Sequence, residues 1–255
     1  VLSRTKRNQN FYRDCEIAKQ SAGIFITETF DFAAFDWDFS AIKQHYFADQ
    51  TVRLFINYSL AYTSRIENLN QTNMIKIGFV GDHYNFTDDN ENALNKQAFF
   101  KSIAWSAIAN AYPHTNPVVA EALARPELPF IDLHWAIDPT VFTDLGRKRG
   151  YDIACMGAMT EGKYPFRRQV RMWLEANKRI TLFKKKRVIG KLGKDHDGDA
   201  FNLALNRCKS AFTCALLTQY TVMKYFEIPA SGASLFAEKT DDLAKLGYID
   251  GVNFV

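Results

Sequence analysis

The chain has 255 residues, 47% apolar and 24% charged, with a net charge of +4 from 32 basic and 28 acidic side chains. That is ordinary globular composition, long enough for one large domain or two of usual size. It excludes a disordered chain and a collagen-like repeat, and the small charge excess is a poor footprint for a nucleic-acid partner.

The opening "VLSRTKRNQNFYRDCE" has no apolar signal-peptide core, and no apolar run is long enough to span a bilayer. The four cysteines, Cys15, Cys155, Cys208 and Cys214, have no C-x-x-C spacing, so neither zinc nor a disulfide framework is expected. A cytoplasmic location is expected, although Asn57, Asn70 and Asn85 begin N-x-S/T triplets.

In chain order, "AGIFITETF" (22–30) predicts a strand and "FSAIKQHYFA" (39–48) a helix, while "TVRLFINYSL" (51–60) is ambiguous. "MIKIGFVGDHY" (74–84) predicts a buried strand running into a glycine loop. "NENALNKQAFFKSI" (90–103) has helical spacing, and "WSAIANAY" (105–112) predicts a strand. A helix follows, with Asn116 as cap, Pro117 as first helical residue and Pro126 ending it. "FIDLHWAIDPTVF" (130–142) predicts a strand, with His134 packing inside it, and then a crossing segment.

The pattern then restarts. "YDIACMGAM" (151–159) predicts a buried strand, and "PFRRQVRMWLEANK" (165–178) a helix with Val170, Trp173 and Leu174 on one side. "RITLF" (179–183) is a strand. A helix over 197–211 capped by Asp199, a strand over 211–217, a helix over 221–231, a strand over 233–238 and a short helix over 241–247 complete the chain. Alternating strands and helices predict parallel α/β sheets. The restart predicts two units joined near 138–150, with domains 1–139 and 140–255.

In open parallel sheets ligands bind beyond the carboxyl ends of the strands, so post-strand segments are the candidates. In "CMGAMTEGKYPFRR", Gly157 allows close backbone approach, and Lys163, Arg167 and Arg168 bring positive charge to a helix start, which suits a diphosphate. The alternative is a set of ordinary solvated bases. In "TVMKYFEIPASG", Glu227 and Lys224 share a helix face. One carboxylate can hold both hydroxyls of a ribose while the lysine takes phosphate; the alternative is an exposed i,i+3 ion pair. Ala230, Ser231 and Gly232 allow close packing and a tight turn into the next strand. In the first half, "GFVGDHYNF" offers Asp82 or His83 as a general base, with His114 a second candidate. "DHDGD" places Asp195 and Asp197 at metal-binding spacing, but as the polar lead into a helix it reads first as a capping loop. The basic run "RITLFKKKRVIGKLGK" (179–194) is either a solvated edge or a field for phosphate.

The segments "YDIACMGAMTEGKYPFRRQV", "CKSAFTCALLTQYTVMKYFEIPASGASLFAE" and "LGYIDGVNFV", with "LPFIDLHWAIDPTVF" upstream, resemble the C-terminal domain of GT-B glycosyltransferases, most closely the spore-coat glycosyltransferase-like branch. The resemblance covers roughly half the chain; residues 1–73 match nothing in it. It implies two Rossmann-like parallel-sheet domains facing across a cleft, and metal-independent transfer from a nucleotide-diphospho-sugar donor to a glycan or other hydroxyl acceptor, with no cofactor besides the donor. Glu227 falls on the second Glu of the family's E-x7-E motif, which holds the donor ribose, and the first falls on Gln219, a departure. Lys224 falls where the branch often has Arg near the diphosphate, and Tyr220 and Thr221 would lie close to the donor. The rival expectations are a metal-dependent transferase using Asp195 and Asp197, and a non-catalytic nucleotide-sugar-binding module.

Overall fold

The computed structural model describes residues 35–48, 51, 53–57, 66–81, 89–184 and 198–255. The strand expected at 22–30, the catalytic candidates Asp82 and His83, the acid pair Asp195 and Asp197, and most of the basic run lie outside these residues. The chain forms two compact units, residues 1–134 and 135–255.

In the first unit, α1 (Phe39–Phe47) starts where the Asp38 side chain accepts from the Ser40 amide at 2.8 Å. Strand β1 (Leu54–Asn57) resolves the ambiguous segment, and β2 (Ile75–Val80) follows. Helix α2 (Glu91–Ser102) opens on Asn90, whose side chain accepts from the Ala93 amide at 3.0 Å and fills one of the vacant acceptor roles at a helix start. Then come β3 (Ala107–Asn110), α3 (Asn116–Leu123) and β4 (Phe130–Asp132), giving a parallel sheet in the simple order β1-β2-β3-β4. Phe55, Phe99, Phe100, Trp105 and Ile108 fill its core, and the Trp105 indole N–H donates to the Phe100 carbonyl at 2.9 Å.

Two details differ from expectation here. A 3-10 turn over Pro113–Thr115 precedes α3, so Thr115 takes the cap position and Asn116 is already helical. The Asn116 amide is used sideways instead: it accepts from Asn110 at 2.7 Å and donates to Asp132 at 3.3 Å. His134 lies past the end of β4 and is half-buried, so it packs outside the strand expected to contain it.

The second unit comprises β5 (Tyr151–Cys155), α4 (Pro165–Ala176), β6 (Leu182–Phe183), α5 (Gly198–Leu205), β7 (Cys208–Thr213), α6 (Lys224–Ala230) and β8 (Ser234–Ala237). Every strand pair is parallel, and the order is β6-β5-β7-β8. Side chains alternate across the sheet. Cys155, Phe212 and Cys214 pack with Leu174 of α4 on one face. Ala154 and Ala211 pack with Leu205 of α5 and Ile228 of α6 on the other. Both faces are thus covered by helices, as a parallel sheet requires. This is a Rossmann-like layer order, with α/β architecture in both units.

Several expectations in this unit are corrected. Trp173 is 60% exposed. The buried face of α4 runs through Arg167 and Leu174, with Val170 half-buried between them. The helix expected over 197–211 ends at Leu205, and β7 begins at Cys208 rather than 211. Asn206 stops it, because its side chain holds the 143–145 backbone, donating to the Thr143 carbonyl at 3.0 Å and accepting from the Leu145 amide at 2.7 Å. Asp199 then lies inside the first turn, past the cap. Residues 241–247 form successive turns instead of a helix. The final "GVNFV" lies along β8: the Val255 amide donates to Leu235 at 2.9 Å, and the Ala237 amide donates to Val255 at 2.7 Å. No helix of the described residues is long and apolar enough to cross a membrane.

Candidate functional site

The chain leaves β5 toward β6 on one side and returns to β7 on the other. The loops after β5 and β7 therefore diverge, which opens a crevice at their carboxyl ends. Gly157 sits in the first of these loops with φ +114, a conformation only glycine adopts without strain. A side chain there would also lack room: a Cβ would lie 3.1 Å from both the Arg167 Nη1 and the Lys224 Cε, and 3.6 Å from the Lys224 Nζ. Gly157, Arg167 and Lys224, expected in separate segments of one site, thus meet at one point.

Arg167 is 1% exposed. Its Nη1 donates to the Ala158 carbonyl at 3.1 Å; its Nη2 reaches the Thr213 hydroxyl at 3.3 Å and the Cys214 carbonyl at 3.2 Å. The guanidinium lies 4.1 Å from the centre of the Tyr164 ring. Its Nε has no hydrogen-bond partner among the described residues. The side chain therefore clamps the ends of β5 and β7 together while leaving a full positive charge beneath the crevice.

Lys224 opens α6 and is half-buried, with its ammonium 5.4 Å from the centre of the Phe201 ring. Burial pushes its pKa down; the Glu227 carboxylate opposes this and Arg167 adds to it. Glu227, three residues on, is 9% exposed, and burial raises its carboxyl pKa against the pull of Lys224. The two charges share a helix face without a direct ion pair among the described residues.

The end of α6 is tightly built. Pro229 cannot donate to the Tyr225 carbonyl one turn back, and the Tyr248 hydroxyl donates to that carbonyl instead, at 2.7 Å. The Ser231 Oγ lies 2.8 Å from the Glu227 carbonyl and 2.6 Å from the Asn202 Oδ1. Gly232 has φ +71, and a Cβ there would collide with the Asp144 carboxylate and come within 2.8 Å of the Arg149 guanidinium. Arg149 in turn donates to the carbonyls of Leu205, Cys208 and Ser231. The small residues 230–232 are the space into which this staple fits. Asn202, Asn206, Arg149 and Tyr248 were missed from sequence; only Pro229 signalled one of them, by orphaning a carbonyl.

The remaining candidates are spread out. Lys163 and Arg168 are exposed on the same loop and helix start, and Arg168 pairs with Glu161 at 2.6 Å. Gln219 is exposed with φ +59 in the loop after β7. Tyr220 is fully buried. Thr221 is 2% exposed, and its hydroxyl lies 2.5 Å from that of Thr240. These two anchor the loop from within. His114 is half-buried in the turn before α3, with Tyr112 beside it.

Cys155, Cys208 and Cys214 are buried free thiols, and burial pushes Cys155 and Cys208 up to about 11, away from nucleophilic use. Among the described residues no three His, Cys, Asp or Glu side chains converge on a metal-sized site. No family model matches the chain, and no curated protein matches it.

Proposed function

We propose that residues 135–255 bind the nucleotide-diphospho-sugar donor of a metal-independent glycosyl transfer to an acceptor hydroxyl. One observation carries the reading: at the strand-order reversal, Gly157 admits both the Lys224 stem and the Arg167 guanidinium, one helical turn from the buried Glu227. In transfer, the acceptor oxygen bonds the anomeric carbon, the bond to the diphosphate oxygen breaks, and charge collects on the leaving diphosphate. Lys224 neutralises that charge, with Arg167 behind it and Lys163 on the same loop. Glu227 accepts two ribose hydroxyls, whose hydrogen bonds repay a carboxylate held in a poorly hydrated place. The exposed amide of Gln219 is free to meet a sugar hydroxyl without adding charge. The acceptor and the base that takes its proton, Asp82 or His83 by the sequence reading, belong to residues 1–134.

The test is a thermal-shift panel of UDP-, GDP-, dTDP-, CMP- and ADP-sugars, with and without EDTA, on the wild type and Glu227→Ala. A ligand at a hundred times its Kd stabilises the folded state by about 2.7 kcal/mol, a rise of several degrees. One nucleotide family should raise the Tm, EDTA should leave the rise intact, and Glu227→Ala should lose it. A shift only with added metal redirects attention to Asp195 and Asp197. A shift with no release of nucleoside diphosphate under any acceptor identifies a binding module. No shift from any donor overturns the proposal.

A further inference from the structure

A second concavity lies away from the strand ends used above. It has a volume of about 280 Å³ and is lined by Arg147, Phe183, Ala200, Leu203, Ala204 and Arg207. Four of these residues share one face of α5 and the turn after it, at i, i+3, i+4 and i+7. Alanine at 200 and 204 leaves the space, and Phe183, the last residue of β6, walls it.

Among the described residues the lining holds two cations and no acid. The Arg207 guanidinium is held beside two aromatic faces, 5.4 Å from the centre of the Tyr151 ring and 5.6 Å from that of Phe183. Neither the Arg147 nor the Arg207 side chain has a hydrogen-bond or ion-pair partner among the described residues. Arg207 immediately precedes β7 and Arg147 shortly precedes β5, so the charged rim stands at the amino ends of the strands, opposite the crevice at Gly157.

We propose that this pocket is a binding site for a small organic carboxylate with an apolar body, such as a medium-chain fatty acid. Planar guanidinium groups take a carboxylate through paired N–H bonds, and Phe183, Leu203 and the two alanines take the hydrocarbon. The volume lies near the lower end for small-molecule sites, which suits one short chain. The site is independent of the donor reading.

The probe is octanoate, titrated into the whole chain by calorimetry and amide-shift NMR, beside acetate and neutral methyl octanoate. Octanoate should saturate. Acetate, methyl octanoate and the double variant Arg147→Gln/Arg207→Gln should each bind at least about tenfold more weakly. Ala200→Leu, which fills the pocket and keeps both charges, should block it, and Glu227→Ala should leave it unchanged. A melting curve for each variant checks that it folds. Methyl octanoate binding as tightly as octanoate, equal octanoate affinity in the folded double variant, or no saturation by about 10 mM overturns the proposal.

Discussion

Glu227 carries the most testable chemistry at the scale of single residues. Burial raises its carboxyl pKa above the ordinary value of 4.5. The folded chain thus holds that proton more tightly than the unfolded chain. The associated stability is complete below 4.5 and is lost as pH rises through the raised value. Glu227→Gln has no proton to lose, so it should gain on the wild type as pH rises from below 4.5 through the raised value. Urea titrations at both ends measure this, and a difference independent of pH would show an unshifted carboxyl. Gly157→Ala makes the matching steric test. It forces φ +114 on an L residue and presses a methyl against Arg167 and Lys224. The urea midpoint should fall by an amount worth about 1–3 kcal/mol, and an unchanged midpoint would show that the loop needs no glycine.

At the scale of elements, the sequence announced most starts and few undersides. Asn90 and Pro165 mark helix beginnings through local chemistry, which one sequence displays in full. Trp173 was misjudged, because hydropathy puts a tryptophan inside and an arginine outside, and Arg167 holds the buried place on that helix instead. What reverses them is the set of carbonyls at the ends of β5 and β7, brought together only by sheet pairing. Helix α4 is fixed to the sheet by that fork, so Arg167→Lys keeps the charge but not the geometry. It should destabilise by about 2–3 kcal/mol, as buried carbonyls lose donors. Chemical denaturation measures the loss, and a change below about 0.5 kcal/mol would show that lysine satisfies the same groups. The end of α5 illustrates the opposite difficulty: "NRCKSA" reads as more helix, but Asn206 is held by the distant 143–145 backbone and β7 begins at Cys208.

For the whole molecule, the alternation of strand and helix patterns was enough to anticipate parallel α/β sheets. Strand order was not legible, because β5 pairs with both β6 and β7 through contacts no local pattern specifies. That order decides where the crevice opens. The first unit's described strands run β1-β2-β3-β4 with no reversal, whereas the second reverses between β5 and β7. Every residue of the proposed donor site falls within 135–255, which has its own apolar clusters. Residues 135–255 produced alone should therefore fold and keep the donor-induced rise in Tm, while losing transfer to any acceptor. A folded piece with no rise would show that the nucleotide also needs residues of 1–134.

The bond from Tyr248 to the Tyr225 carbonyl has a consequence for biosynthesis. Helix α6 carries Lys224 and Glu227, yet the partner for the carbonyl that Pro229 leaves open comes 23 residues later in the chain. A ribosome has already made the whole of α6, and β8 after it, before that hydroxyl exists. The helix leaves the exit tunnel with an open carbonyl and closes only when "LGYIDGVNFV" follows, the same segment that then lies along β8. The surface that carries Lys224 and Glu227 is thus completed late in the translation of this unit, and a chain stalled before Tyr248 would hold α6 with the Tyr225 carbonyl still open.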